Sequence, residues 1–103
     1  MNAKSKSVLF VKEKYPLEVF ILEISDWSGF DKLIQFLKNE YAIEVIENYD
    51  GPGSRRWVLK SEGRKFELWH EDSFGNSLVA LDPKSVDIVS RIGEDLNARL
   101  SKS

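Results

Sequence analysis

Cysteine is absent from the 103 residues, and histidine and methionine each occur once. Without cysteine neither a disulfide nor a thiolate metal site can form. A single histidine leaves few acid–base or metal-ligating constellations, because such chemistry needs several groups in mutual reach. Long apolar runs are missing too. No stretch approaches the ~20 residues that span a bilayer, and "VLFV", after the basic "MNAKSKS", is too short for a signal-peptide core. A cytoplasmic chain with no membrane partner is therefore expected. The net charge is −2 and the pI near 5.4. No clustered positive field results, so nucleic acid is not an expected partner. The serines form no G-x-S-x-G elbow, and "DGPGSRR" lacks the lysine and hydroxyl spacing of a P-loop and does not lead into a helix.

What is present suits one globular domain. Hydrophobic residues make up 42% and charged residues 31%, with neither an internal repeat nor a linker. Residues 8–13 read as a first strand and Leu17–Ser25, "LEVFILEIS", as a second, central one. In the second, Phe20, Leu22 and Ile24 are assigned to the core, Val19 and Ile21 to the opposite face. "SDWSGFDKLIQFLKNEY" repeats apolar residues at helical spacing (Phe30, Leu33, Ile34, Leu37, Tyr41), with Ser28 as the expected N-cap. A strand follows at Ile43–Asn48, then the hairpin "RRWVLKSEGRKFELWHED" and a strand at Ser77–Leu81. The last helix spans Pro83–Leu100, with Asp82 as cap and Pro83 at its first position. Gly93 interrupts it, either for a close approach to the sheet or as a tolerated surface glycine. The predicted order is ββαββββα, an α+β two-layer sandwich with a mostly antiparallel sheet. Residues 1–7 and 101–103 are expected as flexible tails.

The hairpin carries a tryptophan on each face. With Glu62–Gly63 as a two-residue turn, Leu59 pairs with Phe66, Trp57 with Leu68 and Arg56 with Trp69. Strand alternation puts Trp57, Leu59, Phe66 and Leu68 in the core and Arg56, Val58, Lys60, Glu67, Trp69 and Glu71 outside. Trp69 can stack on Arg56 at the surface, anchor a protein interface, or be covered by another part of the chain. His70 and Glu71 cannot easily converge on one ion. Asp72 can share a side with His70 if the strand continues that far, and His70 is expected to be a structural or a surface histidine. "DGPGSRR" is either a solvated hairpin loop or an anion cradle of backbone N–H groups and guanidinium forks. Phe74 either tucks under its turn or extends the Trp69 surface. Glu44, Glu47 and Asp50 would join Glu67, Glu71 and Asp72 in a negative patch if their strands were neighbours.

No residue is assigned to catalysis, to a metal or to a cofactor, and the chain is expected not to be an enzyme. In size, acidity and its outward-facing Trp and carboxylates on "RRWVLKSEGRKFELWHEDSFGN", it resembles the small acidic bacterial immunity proteins that neutralise a toxin domain. That resemblance implies a non-catalytic protein-binding module that occludes a basic toxin domain. The contact residues expected on this surface are Arg56, Glu67, Trp69, Glu71, Asp72 and Phe74. The alternative is a self-associating domain burying Val19, Ile21, Val58 and Trp69 against a second copy. A small-ligand binder or enzyme using Arg55, Arg56 and His70 is a third possibility.

Overall fold

Glu62 and Gly63 both take left-handed φ, 54° and 75°, the sign pattern of a type I′ hairpin turn. The flanking strands pair Arg56 with Trp69, Trp57 with Leu68 and Leu59 with Phe66, the register expected from the sequence. The computed structural model describes residues 7–13 and 15–101. Its elements are β1 (Val8–Val11), β2 (Leu17–Ile21), α1 (Trp27–Tyr41), β3 (Glu44–Gly51), β4 (Ser54–Ser61), β5 (Arg64–Glu71), β6 (Gly75–Ala80), a 3-10 turn (Pro83–Ser85) and α2 (Val86–Leu100). The order is the expected ββαββββα.

The six strands form one sheet in the order β1-β2-β6-β5-β4-β3, antiparallel throughout. After β2 the chain passes through α1 to the far edge. Successive hairpins then bring it back until β6 docks beside β2. Both edges are protected against strand addition: β1 is only four residues long, and β3 has a bulge between Val45 and Glu47 flanked by carboxylates.

Both helices contribute to one core on one face of the sheet. Phe30, Leu33, Ile34 and Leu37 from α1 meet Ile88, Val89, Ile92 and Leu96 from α2 over Leu59, Phe66, Leu68 and Leu78. Each such side chain contributes roughly 1.5–3 kcal/mol on full burial. Gly93 lets α2 approach the sheet closely: a Cβ there would lie 3.0 Å from Phe10 Cζ and Val19 Cγ1. Tyr41 Oη donates to Asp95 Oδ2 at 2.6 Å, tying the end of α1 to α2.

Several expectations need correction. Val19 and Ile21, 0% and 1% exposed, lie in the core and not on the opposite face. Phe20 shares the outer face with Glu18, while Leu22 falls beyond the strand and is exposed. The strand after α1 runs to Gly51, beyond its expected end at Asn48, because the DGPGS segment is itself the tight β3–β4 hairpin. Asp26 and not Ser28 caps α1: its Oδ1 accepts from Gly29 N at 2.8 Å. Asp82 caps as expected, but on the 3-10 turn that precedes α2. Ser7 is buried, and its N–H donates to Asn97 Oδ1 at 3.1 Å. Ser101 closes α2 through Asn97 O. The rest of the expected tails, 1–6 and 102–103, lies outside the described residues.

Candidate functional site

Strand register arranges the outer face in rows. One row runs across all six strands as Tyr49, Arg56, Trp69, Ser77, Phe20 and Leu9. The next runs Glu47, Val58, Glu67, Val79, Glu18 and Val11. This face is not uniformly wet. Glu18, Ser77 and Val79 in its middle are all buried, whereas Tyr49 is 64% and Phe74 73% exposed.

A cleft of about 760 Å³ opens on this face, with Tyr15, Phe20, Tyr49, Trp69 and Phe74 among its walls and Glu18, Arg56, Glu71 and Ser77 among its polar residues. Its size falls within the range of ligand sites, ~300–1,000 Å³. Tyr15 reaches the cleft from the β1–β2 loop with φ 56°, a left-handed conformation costly for a bulky residue. Its ring meets Trp69 edge-on at 5.3 Å. The Arg56 guanidinium lies 4.2 Å from the Trp69 centroid, and Trp69 Nε1 donates to Glu67 Oε1 at 2.7 Å. Trp69 is thus half-buried, partly covered by its own chain and stacked on Arg56. Glu18 Oε2 accepts from Ser77 Oγ at 2.7 Å.

Of the six residues expected at a contact surface, Arg56, Glu67, Trp69 and Glu71 lie together on the outer face, and Phe74 extends it. Asp72 does not join them: its Oδ1 lies 2.8 Å from His70 Nε2, on the helix side. The conjectured negative patch does not form, since β4 separates β3 from β5 and Asp50 turns to Arg55 and Trp57. Glu18, Tyr15, Phe20 and Tyr49 were missed as site residues. The available signal for the first was a lone carboxylate in "LEVFI", which marks the parity of the outer face.

A polar cluster on the helix side secures this end of the sheet. Arg55, 6% exposed, donates from Nη2 to Asp31 at 3.0 Å and from Nε to Asp50 at 3.1 Å. Its guanidinium lies within 4.3–5.1 Å of the Trp27, Phe30 and Trp57 rings. Burial opposes its charge, but the hydrogen bonds to the two carboxylates outweigh that and raise its pKa. Asp50 is held below the usual carboxylate range, first by the Trp57 indole N–H and then by Arg55. Arg55 is therefore engaged inside the protein and not presented to an anion by its loop.

His70 is buried beside Trp27. Asn76 Nδ2 donates to the carbonyls of Ile24 and Asp26, which fixes Asn76 Oδ1 as the acceptor facing His70 Nδ1 at 2.7 Å. With Asp72 at Nε2 both ring nitrogens face side-chain oxygens. The network links β5, β6 and the turn into α1, a structural role. Among the described residues, no group of three or more His, Asp or Glu side chains could hold a metal ion, and no helix is long and apolar enough to cross a membrane.

Searches against family models, curated proteins and solved structures find no match to this chain.

Proposed function

We propose that this chain is a non-catalytic protein-binding module whose contact surface is the outer face of the sheet, and that its partner is a basic protein domain, as in toxin–immunity pairs. The observation that carries this reading is the aromatic-walled cleft. Tyr49 and Phe74 stand largely exposed at its walls while Trp69 is half-buried between Tyr15 and Arg56. Aromatic anchors surrounded by polar groups are the composition that dominates interface energetics. Glu18 and Glu71 in the cleft lining have no ion pair among the described residues, which favours a positively charged group of the partner at that point.

Occlusion would need no chemistry from this chain. A rigid sheet offers the partner a preformed surface, so little ordering entropy opposes association. The self-associating alternative loses two of its nominated residues, since Val19 and Ile21 are core.

The test is affinity capture from cells of the source organism, with the wild-type chain and Tyr49→Ala/Phe74→Ala as paired baits. A basic protein retained in near-stoichiometric amount by the wild type and lost by the variant is expected. Identical capture by both baits would contradict the assignment to this face.

A further inference from the structure

We infer that Glu18, at the base of the outer-face cleft, is the anionic half of a binding site for a guanidinium group, which an arginine side chain of the partner protein supplies. The inference rests on the protein-binding reading above and specifies the chemistry of its contact. Glu18 is only 5% exposed, yet among the described residues its carboxylate has one hydrogen-bond partner, Ser77 Oγ, and no cation. No fully enclosed side-chain oxygen lacks a partner among the described residues, so the second Glu18 oxygen is not wholly enclosed, and Glu18 belongs to the cleft lining. A buried carboxylate without a cation is costly to maintain, and that cost is relieved when an opposite charge arrives with good hydrogen-bond geometry.

The other charges of the cleft do not supply that cation. The Arg55 guanidinium is bound to Asp31 and Asp50 on the opposite side of the sheet. Arg56 lies over Trp69 with Glu67 at 3.9 Å. Glu71, also in the lining, has no ion pair among the described residues, so the uncommitted charge of the cleft is negative. Its walls include Tyr15, Phe20, Tyr49, Trp69 and Phe74, and aromatic faces attract cations through their quadrupole. Guanidinium suits such a site better than ammonium, being planar, able to stack on rings and more weakly hydrated. The left-handed Tyr15, packed edge-on against Trp69, holds one wall in place before any ligand enters.

The experiment titrates Nα-acetyl-arginine amide into the isotope-labelled full chain by NMR, for wild type, Glu18→Gln and Glu71→Gln, and records the melting temperature of each. Expected are shifts centred on Glu18, Ser77 and the Trp69 indole. Glu18→Gln should lower affinity at least tenfold and Glu71→Gln several-fold. Glu18→Gln should melt at or above the wild-type temperature, because it removes a buried charge without a cation. Undiminished binding to Glu18→Gln would overturn the site, and so would a fall of several degrees in its melting temperature, which would make Glu18 a structural element. If Glu18→Gln fails to fold, undiminished binding to Glu71→Gln and Tyr15→Ala would overturn it equally. Free arginine binding tenfold or more tightly than the blocked amide would reassign the site to a small molecule and overturn the partner source. A captured partner that depends on Tyr49 and Phe74 but binds Glu18→Gln as tightly as wild type would sink this site and leave the surface reading standing. Glu18-dependent guanidinium binding with no face-dependent partner would sink the surface reading instead.

Discussion

Replacing Arg55 with methionine should destabilise the protein by about 2–3 kcal/mol. The variant keeps most of the aliphatic stem but removes the guanidinium that joins the N-terminal turn of α1 to β3 and β4. Two charge-assisted hydrogen bonds go, to Asp31 and Asp50. Those carboxylates are 60% and 47% exposed and rehydrate when released, which limits each bond to ~0.5–1 kcal/mol. Three ring contacts go as well, each worth ~0.5–1 kcal/mol or more where solvent is excluded. Relief of the desolvation penalty of a buried cation offsets part of that loss. For a domain of this size the net corresponds to a fall in Tm of roughly 8–24 °C, readable by calorimetry or by urea unfolding. Arg55→Lys should recover less than half, since one ammonium cannot reach both carboxylates in the guanidinium geometry. If Arg55→Met proved as stable as wild type or more so, the ion pairs would cost as much as they contribute. The α1 terminus would then be held by apolar packing and by the Asn76 hydrogen bonds to Ile24 and Asp26.

Other perturbations separate the two faces. Trp57→Ala should cost about 2–4 kcal/mol, since its ring packs on Phe30 at 5.3 Å and its N–H binds Asp50. Trp69→Ala should cost clearly less, about 1–2 kcal/mol, because its contacts are with Tyr15, Arg56 and Glu67 at a half-open surface; equal losses in urea unfolding would refute this division of roles. Gly93→Val should cost about 1–3 kcal/mol despite the better helix propensity of valine, since its side chain meets Phe10 and Val19. Asp50 and Asp95 have lowered pKa values, through the Trp57 indole and the Tyr41 hydroxyl respectively. Their contribution is therefore present above the ordinary carboxylate pKa of ~3.9 and lost as pH falls through their folded values. Urea midpoints should decline on acidification below about pH 4, and Asp50→Asn/Asp95→Asn should flatten that slope. Tyr41 is raised, by burial first and then by Asp95, so its contribution should be lost as pH rises above the ordinary phenol value of ~10.

The β4–β5 hairpin was legible because glycine after glutamate fixed the turn, and strand alternation did the rest. Parity in β2 was not, because apolar residues occupy both faces of that strand. Leu17, Val19 and Ile21 go to the core, while Phe20 packs outside beside a buried carboxylate. Glu18 was the discriminating residue, since a carboxylate shares its face with Phe20 and not with Val19. Arg55 was hidden differently. Next to Arg56 it reads as half of a basic pair, but alternation sends the two to opposite faces. Only the fold brings Asp31 within reach from 24 residues away. The Asn76 contacts with His70 and the backbone before α1 were invisible for the same reason: they join β5, β6 and a loop distant in sequence. Asp26 rather than Ser28 as N-cap shifts the start of α1 by two residues, a boundary that several capping residues in succession leave ambiguous.

The central claim is that the outer face of the sheet is kept for a different protein and not for a second copy of this one. Light scattering after size exclusion, across a wide concentration range, tests it most directly. A mass of 11.9 kDa at every concentration, the same for wild type and Tyr49→Ala/Phe74→Ala, is the predicted result. A stable dimer that Tyr49→Ala/Phe74→Ala dissolves into monomers would contradict it.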